Sequence, residues 1–182
     1  MRYVAFLRAI NVGGRNVKME QLRRIFESIG LTNVETVIAS GNVVFDSTSG
    51  SGRAIEKKLQ AKLEAALGYT VTTYVRSMEE LSAIAGHKPF RKAPNTATLF
   101  IAFAAEEPSS ERQEKLLSQQ GKTDKLSFRS REIYWLCLTR YSDSKFSGPV
   151  LEKILGMPVT VRNVRTVERI AQGCCVGSKQ RD

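Results

Sequence analysis

The sequence predicts an α+β protein built from two ferredoxin-like halves, each of β-α-β-β-α-β order, joined by a short helical connector. Strand and helix patterns follow one another in the same order twice along the 182 residues. In each half a hairpin signal also separates the second strand from the third. The amino-acid similarity between the halves is faint, so the prediction rests on order and spacing. We place the first half at 1–76, the connector at 77–95, and the second half, with a C-terminal helix and a polar tail, at 96–182.

The first half begins with a strand and a helix. The stretch "RYVAFLR" carries β-branched and aromatic residues over the length of a strand, and "MEQLRRIFESIG" repeats apolar residues along one helical face. Gly30 ends that helix, because glycine readily takes the left-handed conformation of a C-terminal cap. Two short strands follow around Ser40-Gly41-Asn42, where glycine supplies the positive φ of a tight turn. A second apolar-faced helix and the strand "TVTTYVR" complete the half.

The connector and the second half continue this order. Ser77 and Glu80 have the spacing of a capping box at the start of a short helix, which ends before Pro89. The second half then shows a strand, a helix, a hairpin that turns near Ser130, a helix and a strand. Its stretches are, in order, "ATLFIAF", "SSERQEKLLSQ", "KLSFRSREIYWLCL", "GPVLEKILG" and "PVTVRN". The stretch "VRTVERIAQ" predicts a final helix before the polar tail.

The composition is that of a globular protein with an excess of positive charge. The chain is 42% hydrophobic and carries a net charge of +10. A basic surface attracts polyanions, but the charge divides equally between 1–76 and 77–182. That even spread favours a basic surface that only keeps the protein in solution. The longest apolar runs have strand length and the amino terminus lacks an apolar signal segment, so we expect a cytoplasmic protein without membrane segments.

The cysteines and the histidine argue against a metal centre. Cys137, Cys174 and Cys175 suit a reducing compartment, and Cys137 is expected to be a small buried residue of a strand. The adjacent pair Cys174-Cys175 lacks the C-x-x-C spacing of a redox motif. The chain has one histidine, so no convincing set of metal ligands can be assembled from the sequence. We therefore expect neither a metal nor a cofactor.

Two long stretches carry a family resemblance. The first, "FLRAINVGGRNVKMEQLRRIFESIGLTNVETVIASGNVVF", resembles the bacterial family known as domain of unknown function 1697. The signature of that family joins an L-R-x-I-N-V-G-G block, a helix that opens with Met, and an S-G-N-V-x-F hairpin. The stretches "IYWLCLTRYSDSKF" and "LEKILGMPVTVRNVRTVERIA" resemble its second block. The resemblance implies a two-part ferredoxin-like fold, and it brings no established activity, substrate or catalytic residue.

The best candidate for a ligand site is one rim of the first half. The carboxyl end of the first strand and the turn between the second and third strands should meet at one edge of the sheet. The amino end of the first helix, which favours anions, should lie there too. The rim residues are Arg8, Asn11, Gly13, Gly14, Lys18, Ser40, Gly41 and Asn42. The structural alternative is that the glycines only turn the chain and that the two asparagines only hold loop backbone.

A second group of candidates lies in the later block. It consists of Tyr141, Lys145, Arg162 and Asn163. Asn163 has the position of an N-cap, between a strand and the last helix, and Arg162 has the alternative of pairing with a carboxylate. If the halves pack so that this strand end meets the rim, both groups share one cleft.

Two classes of function follow from these candidates. The first is a binding module for an anionic ligand, with nucleic acid as the candidate polyanion. RNA-recognition domains share the predicted topology, but Phe6 and Phe45 are the only credible stacking residues in the first half, and strand aromatics usually pack inward. The alternative is an enzyme acting on a small anionic or phosphate-bearing metabolite in a cleft between the halves. No general base or nucleophile stands out in the sequence, so we favour binding. Exposed sheet edges leave both a monomer and a homodimer open.

Overall fold

The computed structural model describes residues 1–11, 13–14, 16–37 and 41–173. The predicted turn residue Ser40 and the pair Cys174-Cys175 lie outside the described residues. The described residues divide into two compact units, one of residues 1–82 with 169–173, the other of residues 83–168. Two helices, whose bounds follow, each run across a division between these units. The boundaries at 76 and 95 that the sequence indicates stay a prediction.

The first unit is built on a four-stranded antiparallel sheet. Its elements are β1 (Arg2–Leu7), α1 (Met19–Glu27), β2 (Thr32–Val37), β3 (Asn42–Asp46), α2 (Gly52–Leu67) and β4 (Thr73–Ser77), followed by α3 (Met78–Gly86). The strand order is β2-β3-β1-β4. The predicted capping box is confirmed at the start of α3, where Ser77 Oγ accepts from the Glu80 amide at 3.1 Å and a Glu80 carboxylate oxygen accepts from the Ser77 amide at 2.7 Å.

The second unit repeats this plan. Its elements are β5 (Thr98–Ala104), α4 (Ser110–Leu117), β6 (Asp124–Arg129), β7 (Glu132–Cys137), a short 3-10 helix (Tyr141–Asp143), α5 (Gly148–Leu155), β8 (Val159–Asn163) and α6 (Val164–Ala171). The strand order is β6-β7-β5-β8, again with antiparallel neighbours. The predicted α+β class and the two similar halves are therefore confirmed.

In each unit two helices pack against one face of the sheet, α1 and α2 in the first unit and α4 and α5 in the second. In the first unit Phe45 of β3 lies at the centre of this core, with ring centroids 5.9 Å from Tyr3 and 5.5 Å from Phe26 of α1. Residues on the opposite face of the sheet are also buried, since Phe6 and Tyr74 are inaccessible to solvent. Side chains alternate between the faces of a strand, so both faces of β1 contribute to burial.

The core of the second unit is organised around Trp135 of β7. Its ring lies 4.8 Å from Phe100 and 6.2 Å from Phe146, and its Nε1 donates to the buried carboxylate of Asp124 at 2.7 Å. Ser144 Oγ donates to the same carboxylate oxygen at 2.6 Å, which ties the loop after β7 to β6. Cys137 is a buried free thiol of this core, as its sequence context predicts.

Candidate functional site

The structure places the end of β1 beside the start of β3, where the sequence predicts a rim. Phe6 and Asn42 are register partners across β1 and β3, and the Leu7 amide donates to the Gly41 carbonyl at 2.7 Å. The end of β1 and the start of β3 therefore lie side by side.

The two rim asparagines are engaged in local structure. Asn11 Oδ1 accepts from the Val17 amide at 3.0 Å, and Asn42 Nδ2 donates to the Val37 carbonyl at 3.1 Å. Asn42 is also buried. Both side chains thus hold loop backbone, as the structural alternative expects.

The rim glycines differ in their surroundings. Gly13 and Gly14 have φ of 68° and 80° and are exposed, with open space where a side chain would extend. A methyl group on Gly41, whose φ is 75°, would lie 2.9 Å from Ile10 Cγ2 and 3.1 Å from the Leu7 carbonyl oxygen. Gly41 is therefore required by packing as well as by backbone conformation.

The cations of the rim have distinct environments. Arg8 is half-buried, and its amide donates to the Thr72 carbonyl at 2.9 Å. Lys18 is exposed at the N-cap of α1, which makes no side-chain capping bond. Glu20 adds a negative charge to the first turn of α1, next to Lys18. Lys18 also lines an open depression of about 390 Å³ along α1.

The second group of predicted residues surrounds the strand ends of the other unit. Tyr141 is 53% exposed, and its ring lies 5.4 Å from Phe100 and 5.6 Å from Trp135. Lys145 is exposed. Arg162 donates to Thr160 Oγ1 at 2.7 Å and to the Val161 carbonyl at 2.9 Å. Burial lowers the pKa of Arg162 to about 10, so its guanidinium stays charged at neutral pH.

Asn163 has the capping role that the sequence predicts. Its Oδ1 accepts from the Arg165 amide at 2.9 Å and so satisfies one of the free donors at the start of α6. Asn163 is also the one member of the second predicted group among the described residues that line a cavity of this unit.

That space is a cavity of about 370 Å³ between the connector, the start of β5 and the start of α6. Its charged and polar lining residues are Lys88, Asn95, Thr96, Thr98, Asn163 and Arg165. Its apolar lining residues are Pro89, Phe90, Ala93, Ala97, Leu99, Leu136 and Val164. None of these described lining residues is acidic.

Both cations of the cavity are associated with α6. The Lys88 ammonium lies 2.8 Å from a carboxylate oxygen of Glu168, and the two side chains are 59% and 35% exposed. Arg165 and Glu168 are three positions apart on α6, which places them on neighbouring parts of one helix face. An exposed ion pair of this kind contributes at most about 1 kcal/mol to stability, because solvent screens it.

The sequence reasoning missed this cavity. It treated 77–95 as a connector and gave no role to Lys88, Phe90 or Arg165. Lys88 and Glu168 are 80 residues apart in the chain. The available signal was local and weak: a Lys-Pro-Phe stretch before a strand, and a basic residue after a predicted N-cap.

His87 of the connector and Tyr134 of β7 form a titratable aromatic pair that does not line the cavity. The rings of His87 and Tyr134 lie 4.8 Å apart, and Tyr134 Oη donates to the Ile84 carbonyl at 3.1 Å. Burial, with a smaller contribution from the Arg129 charge, lowers the pKa of His87. Burial raises the pKa of Tyr134 to about 12. Both side chains are therefore neutral at pH 7.

Two features are absent from the described residues. No three or more histidine, cysteine, aspartate or glutamate side chains of the described part come together in a set that could hold a metal ion. No helix within the described part combines the length and apolar character needed to cross a membrane.

Comparisons with known proteins agree with an α+β fold of two similar halves. The chain is similar to the solved structure of the conserved bacterial protein SP0830 from Streptococcus pneumoniae, with a TM-score of 0.74 and 26% identity. That similarity covers 94% of this chain and 97% of SP0830. None of the curated proteins matches this sequence. The model of the family described as "Protein of unknown function (DUF1697)" matches residues 1–134. The resemblance seen in the sequence is thus confirmed, and the chain belongs to the DUF1697 family.

Proposed function

We propose that this protein is a binding module for a small anionic ligand, and that the ligand occupies the cavity of the second unit. The observation that carries the proposal is the charge of the cavity: Lys88 and Arg165 line it, and none of its described lining residues is acidic. Asparagine and threonine side chains add hydrogen-bonding groups that can orient an oxyanion.

The size and shape of the cavity support a small ligand. Its volume of about 370 Å³ falls within the range of roughly 300–1,000 Å³ that small-molecule sites occupy. Leu99 and Leu136 supply apolar wall next to the polar groups, which is the usual mixture in such sites. A long nucleic acid is less well supported. The stacking residues it would need in the first unit, Phe6 and Phe45, are fully buried.

The rim of the first unit is the second location for the same function. The local structure there uses Asn11, Asn42 and Gly41. An anion at the rim would therefore contact Lys18 and the exposed Gly13 and Gly14. The enzymatic alternative, in a cleft between the halves, stays a prediction. We further infer ferredoxin-like connectivity in each unit, supported by the strand orders and by the element order along the chain. Size-exclusion chromatography distinguishes a monomer from a homodimer.

Isothermal titration calorimetry with phenyl phosphate tests the proposal. We expect binding by the wild-type protein, a loss of roughly tenfold or more in affinity in the double variant Lys88→Met/Arg165→Met, and little change in Lys18→Met. Methionine keeps much of the length of each side chain and removes the charge. Loss of affinity in Lys18→Met alone would place the ligand at the rim. The absence of binding by the wild type, or binding of single-stranded RNA at the same concentration with no response to phenyl phosphate, would overturn the proposal.

A further inference from the structure

We infer that the ligand of this cavity carries one anionic group on an apolar body, and that Glu168 competes with that anionic group for Lys88. This inference rests on the proposed function and names the class of ligand and the residue that tunes its affinity. It follows from the way in which charge and apolar surface are distributed around the cavity.

The anionic end of the ligand belongs beside α6. Arg165 follows the capping residue Asn163, and Lys88 reaches α6 through its contact with Glu168 at 2.8 Å. Both cationic lining residues are thus tied to the first two turns of one helix. Two cations gathered at one side of a cavity favour a single oxyanion there over charges spread along the ligand.

The apolar end belongs against the sheet and the connector. Leu99 of β5 and Leu136 of β7 are register partners, so their side chains lie on the same face of the sheet. Leu136 is 5% exposed, which makes this wall a rigid part of the fold. Phe90 of the connector adds an aromatic ring to the lining. An apolar or planar group of the ligand is therefore matched by apolar surface.

Glu168 opposes anion binding in a defined way. Its carboxylate holds the Lys88 ammonium, so an incoming oxyanion must share that cation or displace the carboxylate. It also places a negative charge next to Arg165 on the helix face. Removal of this one charge should strengthen the binding of anions and leave the binding of neutral molecules unchanged.

The test uses three probes and two matched variants. The probes are phenyl phosphate, inorganic phosphate and benzyl alcohol, which separate the complete ligand class from its anionic and apolar parts. Glu168→Gln removes the competing charge. Glu20→Gln removes the carboxylate of another exposed ion pair, with Arg24, at the amino end of α1, and it changes the net charge by the same amount.

We expect phenyl phosphate to bind the wild type roughly tenfold more tightly than inorganic phosphate, because the ring buries apolar surface. Glu168→Gln should tighten both phosphates roughly two- to fivefold, and Glu20→Gln should leave both unchanged. Benzyl alcohol should bind the wild type and Glu168→Gln equally.

The outcomes separate this inference from the proposed function. If no phosphate binds any variant, the proposed function fails. If phenyl phosphate binds and depends on Lys88 and Arg165, but Glu168→Gln has no effect, the role of Glu168 is wrong while the binding module stands. Equal affinity for the two phosphates would overturn the apolar end of the ligand. Equal tightening by Glu20→Gln would show a general effect of net charge and overturn the local competition. Circular dichroism spectra establish that each variant is folded.

Discussion

The two units carry an arginine at the same position and bury it to different extents, since Arg76 is buried and Arg162 is half-buried. Arg76 of β4 pairs in register with Val4, and Arg162 of β8 pairs with Ile101 at the corresponding place in β5. Each arginine donates at 2.9 Å to the carbonyl of the residue before it. Each is followed by the residue that caps the next helix, Ser77 in one unit and Asn163 in the other.

The glutamates at the same place in α2 and α5 differ in burial, since Glu56 is buried and Glu152 is half-buried. In the first unit a carboxylate oxygen of Glu56 lies 3.4 Å from Arg76, and both residues are buried. The corresponding glutamate of α5, Glu152, accepts from the Val159 amide at 2.9 Å. Both glutamates stand at the same distance along the chain from a serine N-cap, Ser51 or Ser147. Glu56 also accepts from the Val75 amide at 2.8 Å, so both glutamates hold backbone of the last strand of their unit, and Glu56 does so at a more buried position.

The hairpin turns show a second difference between the units. The Gly41 carbonyl accepts from Leu7, and the Arg131 carbonyl accepts from Ala104 in the equivalent place. The first unit requires glycine because Ile10 closes over the turn. The second unit takes its positive φ, of 52°, at Ser130 and accommodates a long side chain beside it. The first hairpin thus needs glycine where the second does not, because Ile10 packs over Gly41.

The largest expected effect is the loss of the buried glutamate. Glu56→Ala leaves the Arg76 charge and the Val75 amide without their carboxylate, and the free energy of unfolding should fall by about 3–5 kcal/mol. The matched variant Glu152→Ala removes the acceptor of the Val159 amide at a half-buried position and should cost less, about 1–2 kcal/mol. Urea denaturation followed by far-UV circular dichroism measures both, with the fluorescence of Trp135 as a reporter of the second unit. Equal losses in the two variants would contradict the assigned difference.

Substitution at the first hairpin should have an intermediate effect. Gly41→Ala forces a methyl group against Ile10 and a residue with a side chain into the left-handed region, so we expect a loss of about 2–4 kcal/mol. Gly13→Ala meets open space and should cost only the conformational strain, about 1–2 kcal/mol. Thermal unfolding of the two variants compares them directly. A cost for Gly13→Ala as large as that for Gly41→Ala would show that packing over Gly41 is unimportant.

The smallest expected effect is the pH dependence that His87, the one histidine of the chain, contributes. Burial holds its pKa in the folded protein below 6.5. The unfolded chain therefore takes up a proton first. The stability contributed by neutral His87 is full above about pH 6.5, and it declines as the pH falls toward the lower folded-state pKa.

NMR titration of the His87 ring measures the shift. Arg129→Gln should raise the pKa slightly, because the positive charge of Arg129 is the lesser of the two causes. A folded-state pKa of His87 at or above 6.5 would contradict the burial of the ring. A rise in the pKa of His87 when an exposed residue such as Lys145 is replaced by Phe would contradict a local origin of the shift.

Local signals in the sequence predicted much of the architecture. The capping residues Ser77 and Asn163 and the turn around Gly41 act through bonds and backbone angles within a few residues, so their patterns are legible in the chain. The periodicity of α2 likewise predicted an apolar face, and Ile55, Leu59 and Leu63 are buried on it. Nothing local distinguishes Glu56 from the exposed lysines that follow it, and its burial was not predicted.

The sequence by itself determined the order of elements, the similarity of the two halves and the family, because each depends on short-range pattern. The tertiary structure alone decided that Asn11 and Asn42 serve loop backbone, and that Gly41 is closed over by Ile10. It also decided where a cavity forms. Lys88 meets Glu168 across 80 residues of chain, and such a contact exists only once the connector and α6 have folded onto the same sheet end.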